Sequence, residues 1–188
     1  MLVTASITTQ PSLRVVTVAE VKAQARVDTA YEDEVIDGII AAAEATVESL
    51  CRRSFRPQNW LAYYSNVKLG QAEKLVRAPV SSAVISYRDS ATTWAVATPT
   101  TLIEGDQCLW YPPSTVTPYQ TTDGSPNWKA ATVCGGALST IPAAVKQAIL
   151  ILSAHLYEQR TPIIIGTIVA DIPFTVESLL TPHTIPAV

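Results

Sequence analysis

The sequence predicts an α+β protein: a helical core, built of one short helix and two long amphipathic helices, with a β-rich insertion between the long helices and an extended C-terminal arm. Three observations lead there. Residues 31–51 and 142–160 each repeat apolar side chains at spacings of three and four, the period of one helix face. Between them, residues 57–138 are rich in aromatic and β-branched residues and are punctuated by Pro99, Pro112, Pro113, Pro118, Gly124 and Pro126. From Thr161 onward the chain is apolar without a regular pattern and carries Pro162, Pro173, Pro182 and Pro186. The resulting organisation is 1–56, the N-terminal helical part of the core; 57–138, the β-rich insertion; 139–161, the long core helix; and 162–188, the C-terminal arm.

Taken in order, Thr17-Val18-Ala19-Glu20 spells a capping box and opens a short helix over Val18 to Ala25. Thr29-Ala30-Tyr31-Glu32 repeats the device before the first long helix. Glu32, Asp33 and Glu34 load its first turn with negative charge, as the helix dipole favours. Val35, Ile36, Ile39, Ile40, Ala43, Val47 and Leu50 form its apolar stripe, and Arg52, Arg53 and Arg56 cluster at its end. Strands are expected at 59–64, 83–87, 93–96, 107–111 and 130–134. The second long helix opens at Pro142, which suits a first turn, with Thr140 or Ile141 as cap. Val145, Ala148, Ile149, Leu152 and Leu156 face one way, Ile151 and His155 widen the stripe, and Thr161-Pro162 stops the helix. One further short helix is expected at Val176 to Leu180.

Composition excludes several function classes. A hydrophobic content of 48% over 188 residues is enough to bury a sizeable core. A net charge of -3 gives the whole chain no electrostatic drive towards nucleic acid. Cys51, Cys108 and Cys134 are far apart and form no CxxC pair, so they read as reduced, packed thiols, although one disulfide between two of them stays open. The opening MLVTASITTQPSLR lacks the pattern of a signal peptide, and no apolar run reaches membrane-spanning length; the expectation is a soluble intracellular protein without membrane contact.

A search for chemistry finds no catalytic constellation. His155 and Glu158 are three apart on one helix, but His183 is the only other histidine and no HExxH or HxxxH pattern occurs. Glu32, Asp33, Glu34 and Asp37 lack the glycine and closing glutamate of a calcium loop and read as a solvated helix start. Neither GxSxG nor a glycine-rich phosphate loop is present. No catalytic residue, metal ligand or cofactor is therefore expected. Arg52, Arg53 and Arg56 make the one basic cluster, which the helix dipole accounts for without anything further, a nucleic-acid contact being the lesser reading. Trp60, Trp94, Trp110 and Trp128 all fall in the β-rich region, as core residues or as a ligand platform.

The ordered pieces resemble the head-tail connector (adaptor) family of long-tailed bacteriophages and gene transfer agents. Residues 17–28, TVAEVKAQARVD, are similar to the family's opening helix, and 33–43, DEVIDGIIAAA, to its second. Arg53-Ser54-Phe55 leads into the aromatic strand. Residues 78–89, APVSSAVISYRD, are similar to a segment with the pattern PVxsVxsvxYxD; 141–149 with Tyr157-Glu158-Gln159-Arg160 resemble the closing helix; and 173–180 resemble its short tail. The sequence departs from the pattern at Ser90-Ala91, where a glycine is usual, after Leu180, where a basic residue is common, and over 99–128, which matches little.

The resemblance implies a structural virion protein of the neck, assembled in the host cytoplasm. It would form a ring of its own copies, typically a dodecamer, beneath the portal protein. The ring would extend the DNA channel and give the stopper or tail-completion protein a platform, while genomic DNA passes the lumen without sequence-specific binding; an acidic chain suits such a lumen. The apolar tail places the expected protein interface at Ile163, Ile164, Ile165, Phe174, Leu179 and Leu180, docked on the portal or a neighbouring copy, unless it folds back on the helix over 142–160. Two other readings remain: a neck stopper or tail-completion protein, and a small-ligand or glycan-binding domain using the tryptophan-rich region.

Overall fold

A computed structural model describes residues 1–97, 101–103, 108–120, 125–137, 140–159 and 174–185. The chain divides into two compact units, each made of two separate stretches: Met1–Pro11 with Ser54–Gly136, and Ser12–Arg53 with Ala137–Val188. The α+β class holds, with helices in one unit and strands in the other.

The β unit carries a five-stranded antiparallel sheet in the order β1-β2-β8-β4-β5: β1 is Leu2–Thr9, β2 Gln58–Tyr64, β4 Val80–Arg88, β5 Trp94–Val96 and β8 Trp128–Cys134. A smaller sheet orders β3 (Glu73–Lys74), β7 (Leu109–Tyr111) and β6 (Thr101–Ile103). Strand β1 departs from the organisation read from sequence, which placed residues 1–56 together in the helical core. Residues 1–11 belong with the sheet rather than with the helical core, because Val3, Thr4, Ile7, Thr8 and Thr9 suit extended backbone and the strand pairs along β2 from Leu2↔Tyr64 to Thr9↔Asn59, with irregularities at Val3 and Thr8.

Register sorts the side chains of the large sheet by face. Tyr64↔Trp128↔Tyr87 and Ala62↔Ala130↔Ile85 lie across three strands on the inner face. There Trp110, supplied by β7, stacks 5.3 Å from Trp128 and 5.7 Å from Tyr64, edge-on in the second case. Both tryptophans are fully buried, so this aromatic cluster is the core of the unit. The hairpin between β4 and β5 turns without the glycine usual in the resembled family: Ser90 Oγ accepts the amide of Thr93 at 3.3 Å and contacts its hydroxyl at 2.6 Å, while the Asp89 amide donates to the Thr93 carbonyl. Gly135, at φ +94°, lets β8 leave the sheet where a Cβ would lie 2.0 Å from the Arg56 carbonyl oxygen.

In the helical unit, α1 (Val18–Ala25), α2 (Asp33–Cys51) and α4 (Phe174–Leu180) all pack against α3 (Ala143–Glu158). The central place of α3 explains why its stripe is broad: Val145, Ala148, Ile149, Leu152 and Ser153 are buried, while Ile151, His155 and Leu156 are half-buried. The capping box at Thr17 and Glu20 forms as read. The one expected at Thr29 does not; α2 is capped at Glu32 without a side-chain bond, and its start is held instead by ion pairing of Asp33 with Lys22 and by Tyr157 donating to Glu32. Pro142 caps α3 rather than entering its first turn, and its carbonyl accepts from Val145 and Lys146.

The buried face of α2 is Ile36, Ile40, Ala43, Glu44, Val47, Glu48 and Cys51. Val35 and Leu50, expected on the stripe, are exposed, and two glutamates stand among the apolar residues in their place. Glu44 is held by the Val15 amide and by Arg14, 3.7 Å away. A carboxylate so paired can be buried without remaining unsatisfied.

The end of the chain also differs from the expected extended arm. Helix α4 and the following 3₁₀ turn, Thr181–His183, belong to the helical unit. Val176, Leu180 and Ile185 are core residues, and the Ile185 amide donates to the Cys51 carbonyl at 3.0 Å. Apolar residues at 176 and 180, one helical turn apart, gain more from α3 than from solvent.

Candidate interaction surfaces

No group of three or more histidine, cysteine, aspartate or glutamate side chains that could hold a metal occurs among the described residues. The groups with shifted pKa values are explained by local structure. Glu20 is pulled down to about 2 by the hydrogen bond from Lys146, at 2.6 Å, and by the Thr17 amide. The Arg14 guanidinium, paired with Asp37 at 2.8 Å and 3.0 Å, holds that carboxyl below the usual carboxylate range. Burial pushes the Cys51 and Cys134 thiols up, and all three cysteines are free and buried, as packed thiols should be. These are features of stability rather than reactivity.

The arginine cluster does not form an exposed patch. Arg52 is the exposed left-handed C-cap of α2, closing it through its amide to Glu48 and Ser49, whereas Arg56 is buried. Two of the four tryptophans, Trp110 and Trp128, are core and cannot form a ligand platform. Trp60 lies under Arg77 at 5.5 Å, and Trp94 lies under Lys129 at 4.7 Å and Arg88 at 5.4 Å.

Of the residues expected at a protein interface, Ile163, Ile164 and Ile165 lie outside the described residues. Phe174, at the start of α4, is 81% exposed. Leu179 is half-buried, and Leu180 is buried within the helical unit, so its apolar surface is already partnered in the single chain.

Two further surfaces stand out for their exposed apolar area. On the helical unit, Tyr31 is 97% exposed just before α2, and Val35 is exposed one turn later. On the β unit it is the outer face of the large sheet. Leu61↔Ala131↔Val84 and Lys129↔Ser86↔Val96 run across its strands, and Val84, Val96, Ala131 and Val133 are exposed. An antiparallel sheet with one face in water normally alternates apolar with polar residues; here Leu61, Val84, Ala131, Val133 and Val96 make an aliphatic patch on the outer face among polar positions such as Ser6, Asn59, Ser82 and Ser86. A trough of about 370 Å³ runs along this face, lined by Thr8, Asn59, Leu61, Val84 and Val133 among others. Sequence reasoning passed over it, though a signal was there: Ala83-Val84-Ile85 and Ala130-Ala131 are apolar at both parities of a strand, so both faces seek cover.

Comparison with known proteins agrees with the resemblance. The family model described as "Phage gp6-like head-tail connector protein" matches residues 15–93, from just before α1 to the turn that follows β4. No curated protein matches the chain. Among solved structures, a chain from the neck of an empty GTA particle computed with C6 symmetry superposes with a TM-score of 0.80 at 19% identity, over 99% of this chain and 97% of that one. A chain from the virion of a native gene transfer agent (GTA) particle gives 0.77 at 21% identity, over 99% and 97%. A chain from the neck of a native GTA particle computed with C12 symmetry gives 0.66 at 19% identity, over 100% and 97%. At these identities the likeness establishes a shared fold along nearly the whole chain.

Proposed function

We infer that the protein is a structural head-tail connector: copies assemble as a ring at the neck of a phage-like particle, beneath the portal, and extend the channel through which DNA passes. The observation that carries this reading is the coincidence of two independent matches, the connector family model over residues 15–93 and a fold shared along 99% of the chain with a neck protein. The molecule's own surface supports it. Exposed aliphatic area on the sheet and exposed aromatic residues on the helical unit are costly in a monomer and useful in an assembly. With a net charge of -3, the chain suits a passage that must let DNA slide rather than grip it. Portal on one side and a stopper or tail-completion protein on the other are the partners this role requires, and the role is mechanical rather than catalytic.

The ligand-binding alternative loses its main support, since Trp110 and Trp128 are buried in the core. Genetic deletion in the producing system tests the connector reading. Filled heads and separate tails should accumulate, and purified protein added back should restore joined particles. Normal particles in its absence would overturn the assignment.

A further inference from the structure

We propose that the outer face of the large sheet is the seat for a second copy of this chain, and that what it receives is the start of the neighbour's α2, with Tyr31 as the inserted side chain. The proposal rests on the ring reading above and names the surface by which neighbouring copies join.

The two surfaces match in shape and in charge. The sheet offers a trough of about 370 Å³ with Val84 and Val133 on its walls. The helix start offers an aromatic side chain 97% exposed, with Val35 beside it. An aromatic residue inserted in an apolar pocket is the usual anchor of a protein interface. At one end of the sheet face stand Lys129 and Arg88, both stacked on Trp94 and therefore held in place, and no acidic side chain shares their register rows. At the start of α2, Asp33 is taken by Lys22, Asp37 by Arg14 and Glu32 by Tyr157. Glu34 is exposed and has no ion-pair partner among the described residues. Aliphatic area flanked by cations thus faces aliphatic and aromatic area flanked by an anion.

The pairing joins two different surfaces, so each copy can receive one neighbour and dock on another. A head-to-tail contact of this kind closes into a ring when its rotation divides the circle, whereas a like-to-like contact stops at a dimer. Duplex DNA is a poorer occupant, because phosphate recognition calls for a broad basic surface and here two cations border valines.

Cysteine pairing tests the contact in the full-length protein, helped by the burial of all three native thiols. Val84→Cys and Val35→Cys both sit at exposed positions and leave Tyr31 intact. Under mild oxidation an equal mixture of the two variants should give disulfide-linked dimers in several-fold excess over either variant alone. Lys129→Glu added to the Val84→Cys protein should cut that yield several-fold, and Glu34→Lys added to the other partner should recover it. Equal linkage in Val84→Cys alone, or a yield indifferent to the charge reversals, would overturn the proposal. Light scattering on the wild-type chain, alone and with portal, separates the two levels of failure. Multimers without the cross-link mean that copies join through another surface; no multimers under either condition means that the ring reading itself falls.

Discussion

Glu20 and Lys146 tie the first helix to α3 through a single ion pair. The pKa of Glu20 in the folded chain, about 2, lies below its ordinary 4.5. The pair's stabilisation is therefore fully present above pH 4.5 and is lost as the pH falls towards 2. Both groups are substantially exposed, so Lys146→Met should cost only about 0.2–1 kcal/mol at neutral pH. In acid titrations of stability, that variant should show a shallower fall between those two pH values than the wild type. Gly135 is a far less forgiving position: its φ of +94° and the Arg56 carbonyl 2.0 Å from any added Cβ leave alanine no room. Gly135→Ala should destabilise the protein by at least about 2 kcal/mol in chemical denaturation. The buried thiols make a third expectation. Native protein should react with a thiol reagent only at the rate of its unfolding, and rapid labelling of Cys51 or Cys134 would contradict their burial.

At the scale of elements, the helices were legible because their signals are local. The apolar period of α3 and the Thr17 box are written in consecutive residues, and both emerge in the structure. What was not legible depends on partners distant in sequence. Glu44 and Glu48 are charged and so stand outside the apolar stripe read from sequence, yet both are buried, and Arg14 and the Val15 amide arrive from another stretch to receive Glu44. Strand β1 was passed over since an eight-residue run of small and β-branched residues carries no turn signal and declares itself only by pairing with β2. Of the candidate interface residues, Phe174 is exposed, whereas Leu180 is buried in the helical unit. Both α1 and α2 end on arginines with positive φ, Arg26 and Arg52. Glycine relieves that conformation, so Arg52→Gly should raise stability by about 0.5–1 kcal/mol, read as an increase in Tm.

At the scale of the whole molecule, the organisation read from sequence as a helical core interrupted by a β-rich insertion becomes two units that each gather their chain from two places. The insertion keeps its identity but recruits the N-terminal strand, and the expected arm contributes α4 to the helices. That integration makes removal of residues 161–188 a test of folding as well as of docking, for it would take Val176, Leu180 and Ile185 out of the core. A truncated chain should lose about 2 kcal/mol or more per deleted core side chain and melt well below the full-length protein. The central claim concerns assembly, and the most direct measurement is the mass of the purified chain by light scattering, alone and after mixing with its cognate portal. A stoichiometric ring of this chain carried on the portal is the predicted result. A chain that stays monomeric and ignores the portal at every ratio would contradict the account.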